Sequence, residues 1–229
     1  MSRLIPDKLI MEVNPKSPIS EGYRMLRTNI EFSTIDQELQ VIMVTSSKPS
    51  EGKSTTSANM AVAFAQANKR VLLIDGDLRK PSQHHIFGNS NRIGLTTALF
   101  KQKLLDEVIQ NTNTKNLSII HAGPVPPNPS ELLSSKRMAT LLSTARESYD
   151  VIIIDTPPIL SVTDAQIVAT LSDGVVLVID SGKVKRDVAL KAKASLEHVN
   201  AKLIGIVLNN INRNQSDSYY YYYGERNDE

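Results

Sequence analysis

Eight consecutive residues, Ser47-Lys48-Pro49-Ser50-Glu51-Gly52-Lys53-Ser54, stand between a short β-branched run and a stretch of helix formers that opens with Thr55. A loop in that position can wrap phosphate oxygens with backbone N–H groups, and the following helix adds the free N–H groups of its first turn. Lys53 is placed to reach β/γ oxygens, and the Ser54 hydroxyl to sit on Mg²⁺. The substrate class this chemistry fits is a nucleoside triphosphate. The match is imperfect, because Ser47 stands where the usual pattern has glycine. Two acidic motifs follow. Val71-Leu72-Leu73-Ile74-Asp75-Gly76-Asp77-Leu78-Arg79 sets two carboxylates after an apolar run, and 151–154 ends in Asp155-Thr156-Pro157-Pro158. Acids at strand ends can hold the water shell of Mg²⁺ or take a proton from an incoming hydroxyl. Asp77 and Asp155 are thus candidate metal residues beside Ser54. Lys53, Asp75, Asp77 and Asp155 are the candidate catalytic set, with either Asp75 or Asp77 as base and Asp77 preferred.

These residues need a scaffold that brings three strand ends together. Strands are expected at 41–46, 70–74, 117–121, 151–154, 175–180 and 203–208. Helices are expected at 55–67, 96–105, 130–148, 164–171 and 184–199, with a further one from the Ser17-Pro18 cap to about residue 32. Short β-branched runs alternating with helices imply an α/β fold, with a mostly parallel sheet and helices on both faces. Ligands of such sheets bind at the carboxyl ends of the strands, where every candidate residue falls. Asn209 ends the last expected strand at that edge and could hydrogen-bond a purine. His84, His85, His121 and His198 have no metal-ligand spacing and are expected on surfaces or in turns. No G-x-S-x-G nucleophile motif occurs.

Length and composition agree with one domain over 229 residues. The net charge of +2 gives no footprint for nucleic acid. The absence of cysteine excludes disulfides, thiolate metal sites and iron–sulfur clusters. No apolar stretch approaches the roughly 20 residues of a membrane span. The first 25 residues lack the apolar core of a signal peptide. A membrane role therefore calls for a partner that holds the chain there.

The two ends carry further signals. Five of the seven tyrosines form the unbroken run Tyr219, Tyr220, Tyr221, Tyr222 and Tyr223 in a polar tail, 212–229, with no core pattern. Beside a triphosphate site, phenol hydroxyls are phosphoryl acceptors. At about 3.3 Å per residue the segment 212–221 can extend ~30 Å, far enough to enter a neighbour's site. At the other end, Glu21, Arg24 and Arg27 recur every third residue and span a polar arc of about 120° on a helix. Tyr23, Leu26 and Ile30 occupy the face that would pack on the domain. The arc reads either as a solvated face or as a subunit contact in which arginine forks hold a neighbour's carboxylates.

With these motifs in order, the chain resembles the bacterial tyrosine kinases, specifically the cytoplasmic kinase subunit of Gram-positive bacteria. The resemblance covers the chain from about Ile19 onward. It rests on Glu51-Gly52-Lys53-Ser54-Thr55, Asp75-Gly76-Asp77-Leu78-Arg79, Asp155-Thr156-Pro157, the Glu21/Arg24/Arg27 stripe, the tyrosine cluster and Gly123-Pro124-Val125-Pro126-Pro127-Asn128-Pro129. It implies a P-loop NTPase of the deviant-Walker, partition-ATPase-like type that uses ATP and Mg²⁺. It also implies autophosphorylation of the C-terminal tyrosines and phosphorylation of other proteins. Ring assembly through the helix at 17–33, activation by a membrane adaptor whose cytoplasmic tail completes the site, and control of capsular or extracellular polysaccharide synthesis and export are implied as well. The expected location is cytoplasmic, at the inner membrane face through that adaptor. Two positions depart from the pattern: Pro49-Ser50 replaces Pro-Gly, and Lys48 takes the place of the signature lysine of partition and division-site ATPases. The alternative reading is therefore a positioning ATPase that transfers phosphate to water. A third is a non-catalytic, nucleotide-gated adaptor, which intact Lys53, Asp75, Asp77 and Asp155 disfavour.

Overall fold

The computed structural model describes residues 9–33 and 39–211. Among these, seven strands form one sheet: β1 (Val41–Ser46), β2 (Val71–Asp75), β3 (Gln110–Asn111), β4 (Leu117–Ile120), β5 (Val151–Asp155), β6 (Gly174–Asp180) and β7 (Leu203–Asn209). Their spatial order is β3-β4-β2-β5-β1-β6-β7. Neighbours run parallel except β3, which lies antiparallel to β4. Every residue of β1, β2, β5 and β6 is buried. A strand covered on both faces has no use for polar alternation, which is why these segments read as unbroken apolar runs.

Two cores flank the sheet. Val41 and Met43 of β1 enter one, and Ile42 and Val44 the other. The second is roofed by α1 (Ile10–Val13), α2 (Pro18–Glu31), α3 (Lys53–Gln66) and α4 (Gln83–Phe87). The first lies under α5 (Leu95–Leu99), α6 (Leu105–Val108), α7 (Pro129–Leu133), α8 (Lys136–Ser148), α9 (Asp164–Ala169) and α10 (Arg186–His198).

Several boundaries differ from the expected ones. Of the span 96–105 only the part to Leu99 is helical, as α5; Lys101 takes a left-handed turn at φ +60°, and a separate short helix, α6, begins at Leu105. The span 130–148 divides at Ser135, whose hydroxyl takes the Met138 N–H and starts α8 afresh. The last helix starts at Arg186 rather than 184. α1, α4 and β3 were not expected, being too short to show a period.

α2 forms as its sequence dictates. The Ser17 hydroxyl accepts the Ser20 N–H at 3.1 Å, with Pro18 in the first turn. Tyr23, Leu26 and Ile30 pack on the second core. Glu21 and Arg24 pair at 2.9 Å on the outer side. Arg27 turns inward and donates to the Ala63 carbonyl of α3 at 3.2 Å, so part of the polar arc serves the contact between α2 and α3. At the amino edge of the sheet, the Asp173 carboxylate gathers the Gln40 and Val41 N–H groups at 3.0 and 2.7 Å and the Arg146 guanidinium at 2.7 Å. That clamp fixes where β1 enters, and hence where the loop after it leaves.

Candidate nucleotide site at the carboxyl edge

The parallel sheet delivers the ends of β1, β2, β5, β6 and β7 to one edge, and the loop 47–52 links β1 to α3 there. Gly52 is the helix's N-cap residue, with φ +91°. That left-handed conformation favours glycine, and a Cβ there would push aside the Asn209 side-chain amide. Asn209, expected to meet a purine, donates from Nδ2 to the Glu51 carbonyl at 3.0 Å and so holds the loop. The Glu51 carboxylate folds back inside the turn and takes the Ser47 N–H at 2.7 Å, the Ser47 hydroxyl at 2.7 Å and the Lys48 N–H at 3.1 Å. Pro49, Ser50 and the Lys48 side chain lie on the exposed outer surface. Helix geometry leaves the N–H groups of Lys53, Ser54 and Thr55 without intrahelical acceptors, as an anion site requires.

Lys53 lies at the centre. Its Nζ donates to Asp77 Oδ2 at 3.0 Å and Ser54 Oγ at 3.1 Å, and stands 3.7 Å from Asp155 Oδ1. Burial works against the ammonium, yet Asp155, Asp77 and Asp75 together outweigh it and hold its pKa above the ordinary lysine value. Two buried carboxylates, Asp77 and Asp155, thus face one cation, with Asp75 behind them. The surplus negative charge, converging with a serine hydroxyl, is the donor set of a hard divalent ion. The residues present therefore fit Mg²⁺, with Ser54, Asp77 and Asp155 as the side chains that would hold it. Among the described residues no group of three or more His, Cys, Asp or Glu is arranged to hold a metal by itself.

The two acids of the second motif part company. Asp75 is fully buried, and its oxygens accept the N–H groups of Asp77 at 3.2 Å, Ser82 at 3.0 Å and Gln83 at 2.9 Å. Burial, and then the Asp155 carboxylate on the neighbouring strand, push its pKa up to about 8. Asp75 thus ties its own loop into shape, whereas Asp77 offers an oxygen to Lys53. Gly76 lets the two strand ends touch: its N–H reaches the Asp155 carbonyl at 2.7 Å, and a Cβ there would lie 2.9 Å from that oxygen.

Sequence reasoning missed Gln83 altogether. Its Nε2 donates to Asp155 Oδ2 at 2.8 Å and to the Ser54 carbonyl at 3.0 Å, tying the metal-side acid to the start of α3. A lone glutamine on a five-residue helix gives no signal in the sequence. Arg79 forks onto Asp164 at 2.9 and 3.0 Å and reaches Ser130 at 3.2 Å, anchoring the Asp77 loop to α7 and α9. His121, expected on a surface or in a turn, is fully buried with neither ring nitrogen hydrogen-bonded. The acceptor candidates Tyr219 to Tyr223 lie outside the described residues.

A parallel sheet, a glycine-capped loop running into a helix, an invading lysine and two strand-end acids define a P-loop nucleotide-binding protein. Comparison narrows the class. The AAA domain family matches residues 39–190. Tyrosine-protein kinase YwqD of Bacillus subtilis (strain 168) is 49% identical over 214 residues, 93% of this chain and 90% of that protein. The crystal structure of the chimerical protein CapA2B2 superposes with TM-score 0.87 at 44% identity, covering 90% of each chain. The kinase domain of the Escherichia coli tyrosine kinase ETK gives TM-score 0.89 at 35% identity, over 98% of this chain and 88% of that one. The chain belongs to the bacterial tyrosine-protein kinases.

Proposed function

We propose that this protein transfers the γ-phosphoryl group of ATP to tyrosine hydroxyls, first among them Tyr219 to Tyr223 on the tail of a neighbouring copy. The observation that carries the reading is the convergence of Lys53, Ser54, Asp77 and Asp155 on one point at the mouth of the loop, with Lys53 Nζ 3.0 Å from Asp77. Ser54, Asp77 and Asp155 would hold Mg²⁺, which would supply charge neutralisation on the phosphates. Lys53 does the same for β/γ oxygens once it exchanges its carboxylate partners for phosphate. Asp77 orients the attacking phenol and takes its proton. Asp75 and Gln83 keep Asp77 and Asp155 in place. Phosphoryl transfer depends chiefly on such positioning and on electrostatic stabilisation.

The relatives' names support tyrosine as acceptor over the positioning-ATPase reading that Lys48 suggested. The wider role assigned here is regulation of capsular or extracellular polysaccharide synthesis and export. It operates through a membrane adaptor whose cytoplasmic tail completes the site, with the unphosphorylated chain in a ring built on Glu21, Arg24 and Arg27. Among the described residues no helix is long and apolar enough to cross a membrane, which agrees with an adaptor supplying the membrane contact. The test is Lys53→Met: purified variant incubated with ATP and Mg²⁺ carries no phosphotyrosine by mass spectrometry. Tail phosphorylation at the wild-type level in that variant would remove the assignment.

A further inference from the structure

The phosphate loop contains a carboxylate for which phosphoryl transfer has no use. Glu51 is only 2% exposed, and its three side-chain hydrogen bonds all go to the loop itself, from the Ser47 N–H and hydroxyl and the Lys48 N–H. Ser50 before it and Gly52 after it are both left-handed, at φ +65° and +91°. This pair of reversals turns the Glu51 side chain back towards the start of the loop. A serine rarely adopts such a conformation unless its surroundings hold it there. The Glu51 carbonyl is pinned as well, by Asn209 Nδ2 at 3.0 Å. One residue is thus fixed from inside the turn by its side chain and from outside by its main chain.

We infer that Glu51 is a positioning residue: its carboxylate sets the curvature of the phosphate-binding loop by gathering the first two N–H groups, and in doing so sets nucleotide affinity. The inference rests on the nucleotide reading above. Buried N–H groups require an acceptor, and without Glu51 those of Ser47 and Lys48 have none inside the turn. With both of those donors taken by Glu51, phosphate is left the remaining N–H groups of the loop and those of Lys53, Ser54 and Thr55 at the start of α3. Their placement relative to β1 is held by this brace. Ser47, where the usual loop has glycine, is part of the same device, because its hydroxyl supplies the third contact.

The chemistry predicts which substitution is tolerated. In Glu51→Gln the amide oxygen can keep both N–H bonds, while the amide NH₂ donates to a Ser47 hydroxyl that turns from donor to acceptor. Glu51→Ala loses all three contacts, and Ser47→Ala loses one. Full-length wild type and the three variants are titrated with a fluorescent ADP in Mg²⁺, and kcat and KM for ATP are measured by tyrosine phosphorylation. Glu51→Ala is expected to raise Kd and KM about 30-fold with kcat at saturating ATP within about threefold, and Ser47→Ala to raise Kd about fivefold. Glu51→Gln is expected to stay within about threefold of wild type in both constants. Wild-type affinity in Glu51→Ala would overturn the brace, as would a Glu51→Gln that falls as far as Glu51→Ala. Should Glu51→Ala fail to fold, weakened binding in Ser47→Ala with Glu51→Gln spared supports the brace, and the reverse order overturns it. A wild-type chain that binds no nucleotide would instead overturn the nucleotide reading itself.

Discussion

Asp75 and Asp77 are two residues apart and chemically identical, yet the fold gives them different work. Asp75 accepts three N–H groups of its own loop, whereas Asp77 meets Lys53 at the lip of the site. Asp77→Asn should therefore lower the single-turnover rate of tyrosine phosphorylation by about 10²–10⁴, the usual weight of a proton-transfer group. Asp75→Asn should act mainly on thermal stability. Equal rate losses in the two variants would return the base to an open choice between them. A second residue-scale prediction concerns His121. Burial, with a smaller contribution from His84, lowers its pKa from 6.5 to about 4. The folded state thus disfavours the imidazolium, so this contribution to stability is complete above pH 6.5 and is lost as pH falls towards 4. Between pH 7.5 and 5 the wild type should lose about 2 kcal/mol more than His121→Leu in denaturant melts. Parallel pH profiles for the two proteins would contradict this.

Among the elements, what the sequence revealed and what it hid follow from the same physics. β1, β2, β5 and β6 were legible because covering both faces demands apolar runs, and the loop after β1 because Gly52-Lys53-Ser54 meets a helix start. The helix expected at 96–105 ran α5 on past Leu99, because only the backbone at Lys101 shows the break, and α6 beyond it is too short to show a period. α4 was invisible because five residues make no period, and it carries Gln83, the link between Asp155 and Ser54. Glu51 was read as part of a loop whose backbone wraps phosphate, and the inward fold of its side chain was hidden because spacing alone does not tell where a side chain points. The Asp173 clamp was likewise hidden, joining residues far apart in sequence. Because it lies at the edge opposite the site, Asp173→Ala should lower stability by about 1–3 kcal/mol in thermal or denaturant melts. Its Kd for a fluorescent ADP should remain that of wild type. A loss of nucleotide affinity larger than the loss of stability would show that the amino edge does more than anchor β1.

For the whole molecule, charge is the variable that phosphorylation changes. The unmodified chain carries +2, and five phosphotyrosines add on the order of −8, concentrated on a tail that already holds Asp217, Glu225, Asp228 and Glu229. Such a tail is repelled from an edge where Asp77 and Asp155 face a single lysine. Light scattering should therefore find an unphosphorylated ring and a phosphorylated monomer, and equal masses in the two states would rule the switch out. All of this depends on which hydroxyl receives the terminal phosphate. Incubating the chain with γ-labelled ATP and Mg²⁺, and comparing label on protein tyrosine with label in free phosphate, answers that question directly. The kinase reading predicts label on Tyr219 to Tyr223, lost when all five are changed to phenylalanine. Label found only as free phosphate, at the same rate with or without the five tyrosines, would contradict it.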